Sequence, residues 1–135
     1  MCRVYINADP ILYESRTRSL RIHGVITTVR LENLFWDVLH EIASRENMTT
    51  TQFAVKLYDE LIALRGEVPS NFASFLRVCC LRYLMLQQEG RIPADTRVSI
   101  SSLDAAAVLD GLPANMADAP PPRRSRGPLL ETFIK

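Results

Sequence analysis

The sequence predicts a mainly α-helical domain with one N-terminal β-strand, a third helix added to it and a disordered tail, assembled as an intertwined homodimer. One β-type segment precedes the helical periodicity, three amphipathic stretches follow it, and prolines accumulate beyond residue 90. The chain therefore divides into an N-terminal extension over residues 1–15, a domain over 16–89 and a flexible Pro-rich tail over 90–135.

The extended segment covers residues 16–31, where side chains alternate and β-branched types are frequent. Leu20 and Ile22 share one parity, and Gly24 lies near a switch to the other, which suggests a bend or a bulge. The residues of the second parity are Val25, Thr27, Val29 and Leu31. We expect a single strand here. The preceding residues 1–15 are expected to add a small strand near residues 3–6 or to wrap over a partner.

The first helix is predicted over residues 33–46, because apolar residues recur there at spacings of three and four. Asn47 is suited to the left-handed conformation that ends many helices. The second helix begins after Thr49, which with Gln52 three residues later matches a capping box. It extends over about 50–64 and ends at Arg65 and Gly66.

The third helix is predicted over about 71–88 and is apolar nearly all round. One stripe contains Phe72, Phe75, Leu76, Cys79, Tyr83 and Leu86, and the other side carries Val78, Leu81 and Met85. A small monomer has difficulty burying two faces of one helix, so this composition favours association.

Composition excludes several function classes. The 135 residues include no apolar run long enough to span a membrane and no signal-peptide pattern, so a cytoplasmic protein is expected. The three cysteines lack zinc-ligand spacing, and Cys79 and Cys80 are expected to be buried thiols. His23 and His40 have no nucleophile or acid partner in any recognisable pattern. We therefore expect no enzyme activity, no cofactor and no metal.

Charge is distributed unevenly although the net charge is only +1. Residues 1–31 contain five arginines and two acids, whereas residues 32–46 contain four acids and one arginine. Positive charge concentrated on one extended segment can form a local anion-binding face. The extended segment is therefore the part of the sequence where we expect an anion-binding face.

A lone strand leaves two edges of backbone N–H and C=O groups without partners. If residues 25–31 have no partner in their own chain, the simplest solution is antiparallel pairing with the same strand of a second copy. The resulting intermolecular two-stranded ribbon has the size that fits the major groove of DNA.

Alternation then assigns the contacts. The residues of the second parity, Val25, Thr27, Val29 and Leu31, would point toward the helices, and the residues between them toward solvent or the groove. Predicted base contacts are Ile26, Thr28 and Arg30. Predicted phosphate contacts are Arg18, Arg21, Thr49, Thr50 and Thr51, the last three at a helix N-terminus with free N–H groups. Residue type alone favours a solvated strand charge as the interpretation of Arg30.

Three stretches carry a family resemblance: TTVRLENLFW, then EIASREN, then NFASFLRVCCLRYL. Together with the Thr-capped second helix, they resemble the bacterial ribbon-helix-helix domain family, which is related to the Arc and methionine repressors. The resemblance covers roughly residues 1–88. It implies a homodimer that binds double-stranded DNA and regulates transcription, typically as a repressor, in association with the nucleoid.

Two functions are open at this point. The first is a sequence-specific DNA-binding transcriptional regulator that reads the major groove with a dimeric β-ribbon. The alternative is an antitoxin or adaptor whose tail, ending in residues 128–135, docks on a protein partner through Leu129, Leu130, Phe133 and Ile134. Both can hold for one protein.

Overall fold

The computed structural model describes residues 2–67, 70–113 and 116. Two short helices, α1 (Arg3–Ile6) and α2 (Pro10–Tyr13), precede a hairpin of two strands, β1 (Ser15–Ile22) and β2 (Val25–Glu32). Three longer helices follow: α3 (Asn33–Arg45), α4 (Thr50–Arg65) and α5 (Phe72–Gln88). A 3₁₀ turn at Ile100–Ser102 and α6 (Ala105–Leu109) complete the described elements.

The hairpin corrects the prediction of a single strand. β1 and β2 pair antiparallel within the chain, with Ile22 opposite Val25. His23 and Gly24 connect them with φ values of 51° and 82°, the positive values that a two-residue type I′ turn requires. The change of parity near Gly24 therefore marks a chain reversal rather than a bulge.

The same hairpin removes the original reason for an intermolecular ribbon. β2 finds its backbone partner in β1, so the strand is not alone and the expected two-stranded ribbon between chains is wrong as stated. The sheet of the described residues nevertheless has only these two strands. β2 therefore keeps one edge without a strand partner.

The inner face of the hairpin packs on the helices and forms the main core. Leu20, Ile22, Val29 and Leu31 are buried there with Trp36 of α3. The Trp36 indole Nε1 donates a hydrogen bond of 2.9 Å to the carbonyl oxygen of Arg16, which ties α3 to β1. The predicted burial of Val29 and Leu31 is confirmed, whereas Val25, near the tip, is exposed.

The predicted helix ends are confirmed. The Thr49 hydroxyl accepts from the Gln52 N–H at 3.1 Å, and the Gln52 side chain accepts from the Thr49 N–H at 2.9 Å. These two bonds form the capping box that begins α4. Gly66 ends α4 with φ 79°, and Asn47 follows α3 with φ 54°.

Helix α5 buries one face and leaves apolar side chains on another. The buried residues are Phe72, Leu76, Cys80, Tyr83 and Leu86. Of the two predicted buried thiols, Cys80 is buried and Cys79 is only partly so. Burial raises the pKa of Cys79 to about 11 and that of Cys80 to about 12. Both thiols therefore remain protonated at neutral pH and behave as small apolar groups.

Residues 91–113, which we call the strap, differ from the predicted flexible tail. Ile92 is buried, as is Met116 beyond the strap, and both join a second apolar cluster with Tyr83. Buried Arg45 donates to the carbonyl oxygens of Asp95 at 3.1 Å and Val98 at 2.9 Å. Apolar burial and a charged side chain therefore hold a segment that is poor in regular secondary structure. Residues 114, 115 and 117–135, which complete the predicted tail, lie outside the described residues.

The N-terminal extension forms α1 and α2 rather than the small strand expected near residues 3–6. Its large apolar side chains are exposed: Val4, Tyr5, Ile6, Ile11 and Tyr13. Asn33, the first residue of α3, anchors it by donating its side-chain N–H to the Ile11 carbonyl oxygen at 2.8 Å.

Candidate nucleic-acid interface

The outer face of the hairpin consists of the residues that alternate with the buried ones. Directly opposite pairs lie on the same face of a sheet, and the register sets Thr17 opposite Arg30, Ser19 opposite Thr28 and Arg21 opposite Ile26. All six side chains are exposed. The structure thus brings the three predicted base contacts together with Arg21 on one surface.

The chemistry of this outer face suits the edges of bases. Two guanidinium groups, Arg21 and Arg30, can each offer a planar fork of N–H donors. The hydroxyls can donate or accept, and Ile26 offers an apolar surface that can contact a thymine methyl group. No acid is among the six residues.

Glu32 is the acid that follows the outer face along β2, and its charge is compensated. Arg77 of α5 donates to both of its carboxylate oxygens, the shortest bond being 2.8 Å from Nη2 to Oε1. These hydrogen bonds hold the pKa of Glu32 below its ordinary value despite partial desolvation. The negative charge at this end is therefore paired rather than free to repel an anion.

Arg18 does not belong to the outer face. It lies opposite Val29 and shares the inner parity, and its guanidinium carbon is 4.8 Å from the Trp36 ring centroid. Burial and the nearby charge of Arg16 lower its pKa. The side chain covers Trp36 through a cation–π contact, on the side away from the other predicted contacts.

A cleft of about 460 Å³ lies between the hairpin and the start of α4. Four of its lining residues can contact an anion: Arg21, Thr49, Thr51 and Lys56. The other lining residues are Gln52, Val55, Asp59 and Glu60. Arg21 and Thr51, two predicted phosphate contacts that are far apart in the sequence, therefore line the same cleft. Lys56 was not recognised from the sequence, where it is one helical lysine without a distinguishing pattern.

The three threonines at this helix start have different roles. The Thr49 hydroxyl and N–H are both used by the capping box. Thr50 is buried, with its hydroxyl 3.5 Å from Nδ1 of His40. Thr51 is exposed. The capping box leaves the N–H groups of Thr50 and Thr51 at the positive end of the α4 dipole.

The hairpin tip is fixed to α4 by a contact outside the core. His23 Nε2 lies 2.5 Å from Oδ1 of Asp59, and both side chains are exposed. An exposed pair contributes little to stability. The contact places the tip beside α4, on the side where Arg21, two residues earlier, borders the cleft.

Thr17 and Ser19 are the outer-face residues that sequence reasoning missed. Both belong to β1, which becomes visible only when residues 15–22 are treated as a separate strand. The alternation of these polar residues with Leu20 and Ile22 is the sequence pattern that could have identified β1. Two alternating runs separated by two residues that end in glycine indicate a hairpin.

Among the described residues, no group of three or more His, Cys, Asp or Glu side chains is placed to hold a metal ion. Of the helices in the same part of the chain, none combines the length and the apolar character needed to cross a bilayer.

Comparison with known proteins adds a family and a structure. The family model of the ribbon-helix-helix domain matches residues 15–84. The solved structure of an uncharacterized protein from Bordetella pertussis Tohama I is similar, with a TM-score of 0.85 at 62% identity. The similarity covers 90% of this chain and 96% of that one. No curated protein matches the chain.

Proposed function

The chain belongs to the ribbon-helix-helix family, and from that premise we propose that it is a sequence-specific DNA-binding transcriptional regulator, acting as a repressor. Proteins of this family are in general DNA-binding regulators or antitoxins and are typically not enzymes. The observation that carries the proposal is the outer face of the hairpin, where Arg30, Thr28, Ile26 and Arg21 project together from a surface anchored on a buried core.

The DNA-binding unit is a homodimer in this proposal. Family members usually dimerise, and β2 has an edge without a strand partner among the described residues. An unpaired edge is a template for another strand. Antiparallel pairing of β2 with β2 of a second copy gives a four-stranded sheet, in the order β1, β2, β2, β1. It also brings two outer faces side by side across a two-fold axis.

Each outer-face residue then has a defined role at DNA. Arg30 binds guanine O6 and N7 with its fork, Thr28 contacts a base or a thymine methyl group, and Ile26 makes an apolar contact. Arg21 binds a phosphate in the cleft that it shares with the start of α4. There Thr49, Thr50 and Thr51 contribute through helix capping and the free N–H groups. Arg18 is outside this interface, because it covers Trp36.

The test is a binding titration with fragments of the source genome, by fluorescence anisotropy at several salt concentrations. Binding should weaken steeply with salt because phosphate contacts release counterions. Arg30→Ala should lower the discrimination between the preferred fragment and a scrambled one by about 1–3 kcal/mol. Arg97→Ala, which removes an exposed strap arginine, is the matched control and should keep that discrimination.

Absence of binding by the unaltered chain at low salt would refute the proposal. Equal discrimination by Arg30→Ala and by the unaltered chain would refute the assignment of the outer face while leaving DNA binding intact. A DNA-binding role would place the protein at the nucleoid in the cytoplasm, which microscopy of a labelled chain can test.

The second candidate is an antitoxin or adaptor role, which the family membership also accommodates. The sequence of residues 128–135, beyond the described residues, offers Leu129, Leu130, Phe133 and Ile134 for a protein partner. Co-purification of the full chain and of a chain lacking residues 128–135 tests this role. Recovery of no stable protein partner with the full chain would count against it.

A further inference from the structure

A cavity lies between α3, α4 and the strap, apart from the outer face of the hairpin. Its volume is about 320 Å³. Its apolar lining residues are Ile42, Met48, Phe53, Leu57 and Ile100. Ligand-binding pockets typically measure about 300–1,000 Å³ and are lined mainly by apolar groups, with a few polar groups that orient the ligand. The cavity therefore has the size and the lining of a site for a small molecule.

The strap side of the cavity is held by Glu46, the residue that follows α3. Its carboxylate accepts from the N–H groups of Ile100 at 2.6 Å and Ser101 at 3.0 Å. It also accepts from the hydroxyls of Ser99 at 2.8 Å and Ser101 at 2.7 Å. A carboxylate has about four acceptor sites, and these four bonds use them. Glu46 therefore fixes the wall of the cavity and has no acceptor site to offer a ligand.

The two other charged residues of the cavity are Lys56 and Glu60, which we call the rim pair. They lie four residues apart on α4, and both are exposed. Residues at this spacing share one side of a helix, but a lysine that precedes a glutamate is the less favourable order for an ion pair. Neither side chain forms an ion pair within the part of the chain that the structure describes. The rim pair therefore presents one positive and one negative group beside an apolar space.

We propose that this cavity binds an apolar α-amino acid, with its side chain in the apolar space, its carboxylate at Lys56 and its ammonium group at Glu60. An α-amino acid carries two opposite charges on groups attached to one carbon, so it complements the rim pair. An amine or a carboxylic acid alone would leave one charge of the rim pair without a partner. The volume is sufficient, because an apolar cavity of about 150 Å³ in another protein accommodates benzene.

The cavity adjoins the cleft at the start of α4, because Lys56 and Glu60 line both spaces. The apolar lining distinguishes the two. The cleft has one aliphatic lining residue, Val55, whereas the cavity has five apolar ones. Burial of an apolar ligand side chain is therefore more favourable in the cavity. This binding requires no DNA, so it can be tested separately from the proposed DNA-binding function.

The experiment is isothermal titration calorimetry of the full-length chain without DNA. The ligands are L-leucine, L-methionine, L-phenylalanine and L-tryptophan, with glycine as the amino acid that lacks an apolar side chain. At least one of the four should bind with a dissociation constant below about 1 mM, and glycine should not. The amine and the carboxylic acid that correspond to the tightest ligand should each bind about tenfold more weakly or worse, because each lacks one charged contact.

Substitutions in the chain locate the site. Lys56→Gln and Glu60→Gln each remove one charge of the rim pair and should weaken binding about tenfold or more. Met48→Trp fills the cavity and should abolish binding, because Met48 lines the cavity but not the cleft. Glu67→Gln and Leu64→Trp are the matched controls for charge and for size. Both alter exposed residues outside the cavity lining and should keep the affinity of the unaltered chain.

A smaller substitution protects the test against misfolding of Met48→Trp. If that variant shows no cooperative unfolding transition, Met48→Ala takes its place and should weaken binding several-fold through lost apolar contact.

The possible results separate this inference from the proposed function. Failure of all four apolar amino acids to bind would overturn the inference, and DNA binding through the outer face would be unaffected. Equal affinity for the tightest amino acid and its corresponding amine or acid would overturn the ligand class. Unaltered affinity in Met48→Trp and Met48→Ala would place the ligand outside the cavity and also overturn it. A negative DNA-binding result with Arg30→Ala would leave the calorimetric result intact.

Discussion

The inner and outer faces of the hairpin are built from alternate residues of the same strands, yet their surroundings are opposite. Val29 is 2% exposed in the core, whereas its neighbour Arg30 projects into solvent. Because the side-chain period of a strand is two, one strand can contribute to folding and to recognition without sharing residues between them. Substitutions on the two faces should therefore affect different properties.

The largest expected effect is on the inner face. Leu31 is fully buried, and Leu31→Ala should lower the free energy of unfolding by about 2–5 kcal/mol through lost burial and a residual cavity. Urea unfolding measures it. Thr28→Ala, on the outer face, is the control and should stay within about 0.5 kcal/mol of the unaltered chain. Similar losses in both variants would abolish the distinction between the faces.

Arg21→Ala tests the outer face, where a substitution should change DNA binding and not stability. Arg21 borders the cleft at the α4 N-terminus, so its loss should weaken binding to all DNA sequences about equally and leave stability unchanged. The slope of log affinity against log salt should fall by about 1 for each protomer. Arg97→Ala should keep the slope. An unchanged slope in Arg21→Ala would contradict a phosphate contact by Arg21.

The smallest effect concerns Glu32, where the strand passes into α3. Hydrogen bonds from Arg77 lower its pKa, so the stability that it contributes is present above its ordinary pKa of 4.5. That contribution is lost as pH falls through the lowered value. The difference in unfolding free energy between the unaltered chain and Glu32→Gln should therefore close below pH 4.5. In an Arg77→Ala background the pH dependence should largely vanish, and its persistence would contradict the pairing.

Local signals in the sequence predicted much of the helical part. Thr49, Gln52, Gly66 and Asn47 act within one turn of the helix ends they define, and the structure confirms them. The turn at His23 was missed because a non-glycine residue with positive φ is uncommon. Without that reversal, the alternating residues on either side were interpreted as one bent strand.

The strap illustrates what composition cannot predict. Arg45 reaches carbonyl oxygens at positions 95 and 98, and Glu46 accepts hydrogen bonds from Ser99, Ile100 and Ser101. Burial alone would raise the pKa of Glu46, yet these bonds together hold it below its ordinary value. Such contacts join residues far apart in the chain and follow no periodic pattern, so residues 91–113 were assigned to the predicted flexible tail.

The candidate site could be predicted only in part, because part of it depends on the pairing of two strands rather than on local sequence. Strand parity alone placed Ile26, Thr28 and Arg30 on one face of β2, and the register adds Arg21 to them. Arg18 differs from Arg21 by an odd number of residues, so it falls on the opposite face. Only the pairing of β1 with β2 reveals which arginines of β1 share a surface with Arg30.

Methylation protection by dimethyl sulfate tests the central claim most directly, because the reagent modifies guanine N7 in the major groove. The unaltered chain should protect guanines in its preferred fragment, and Arg30→Ala should lose that protection at concentrations that still saturate the DNA. Arg97→Ala should keep it. Protection that persists in Arg30→Ala, or DNA binding by the unaltered chain that leaves every guanine N7 reactive, would contradict recognition through the outer face.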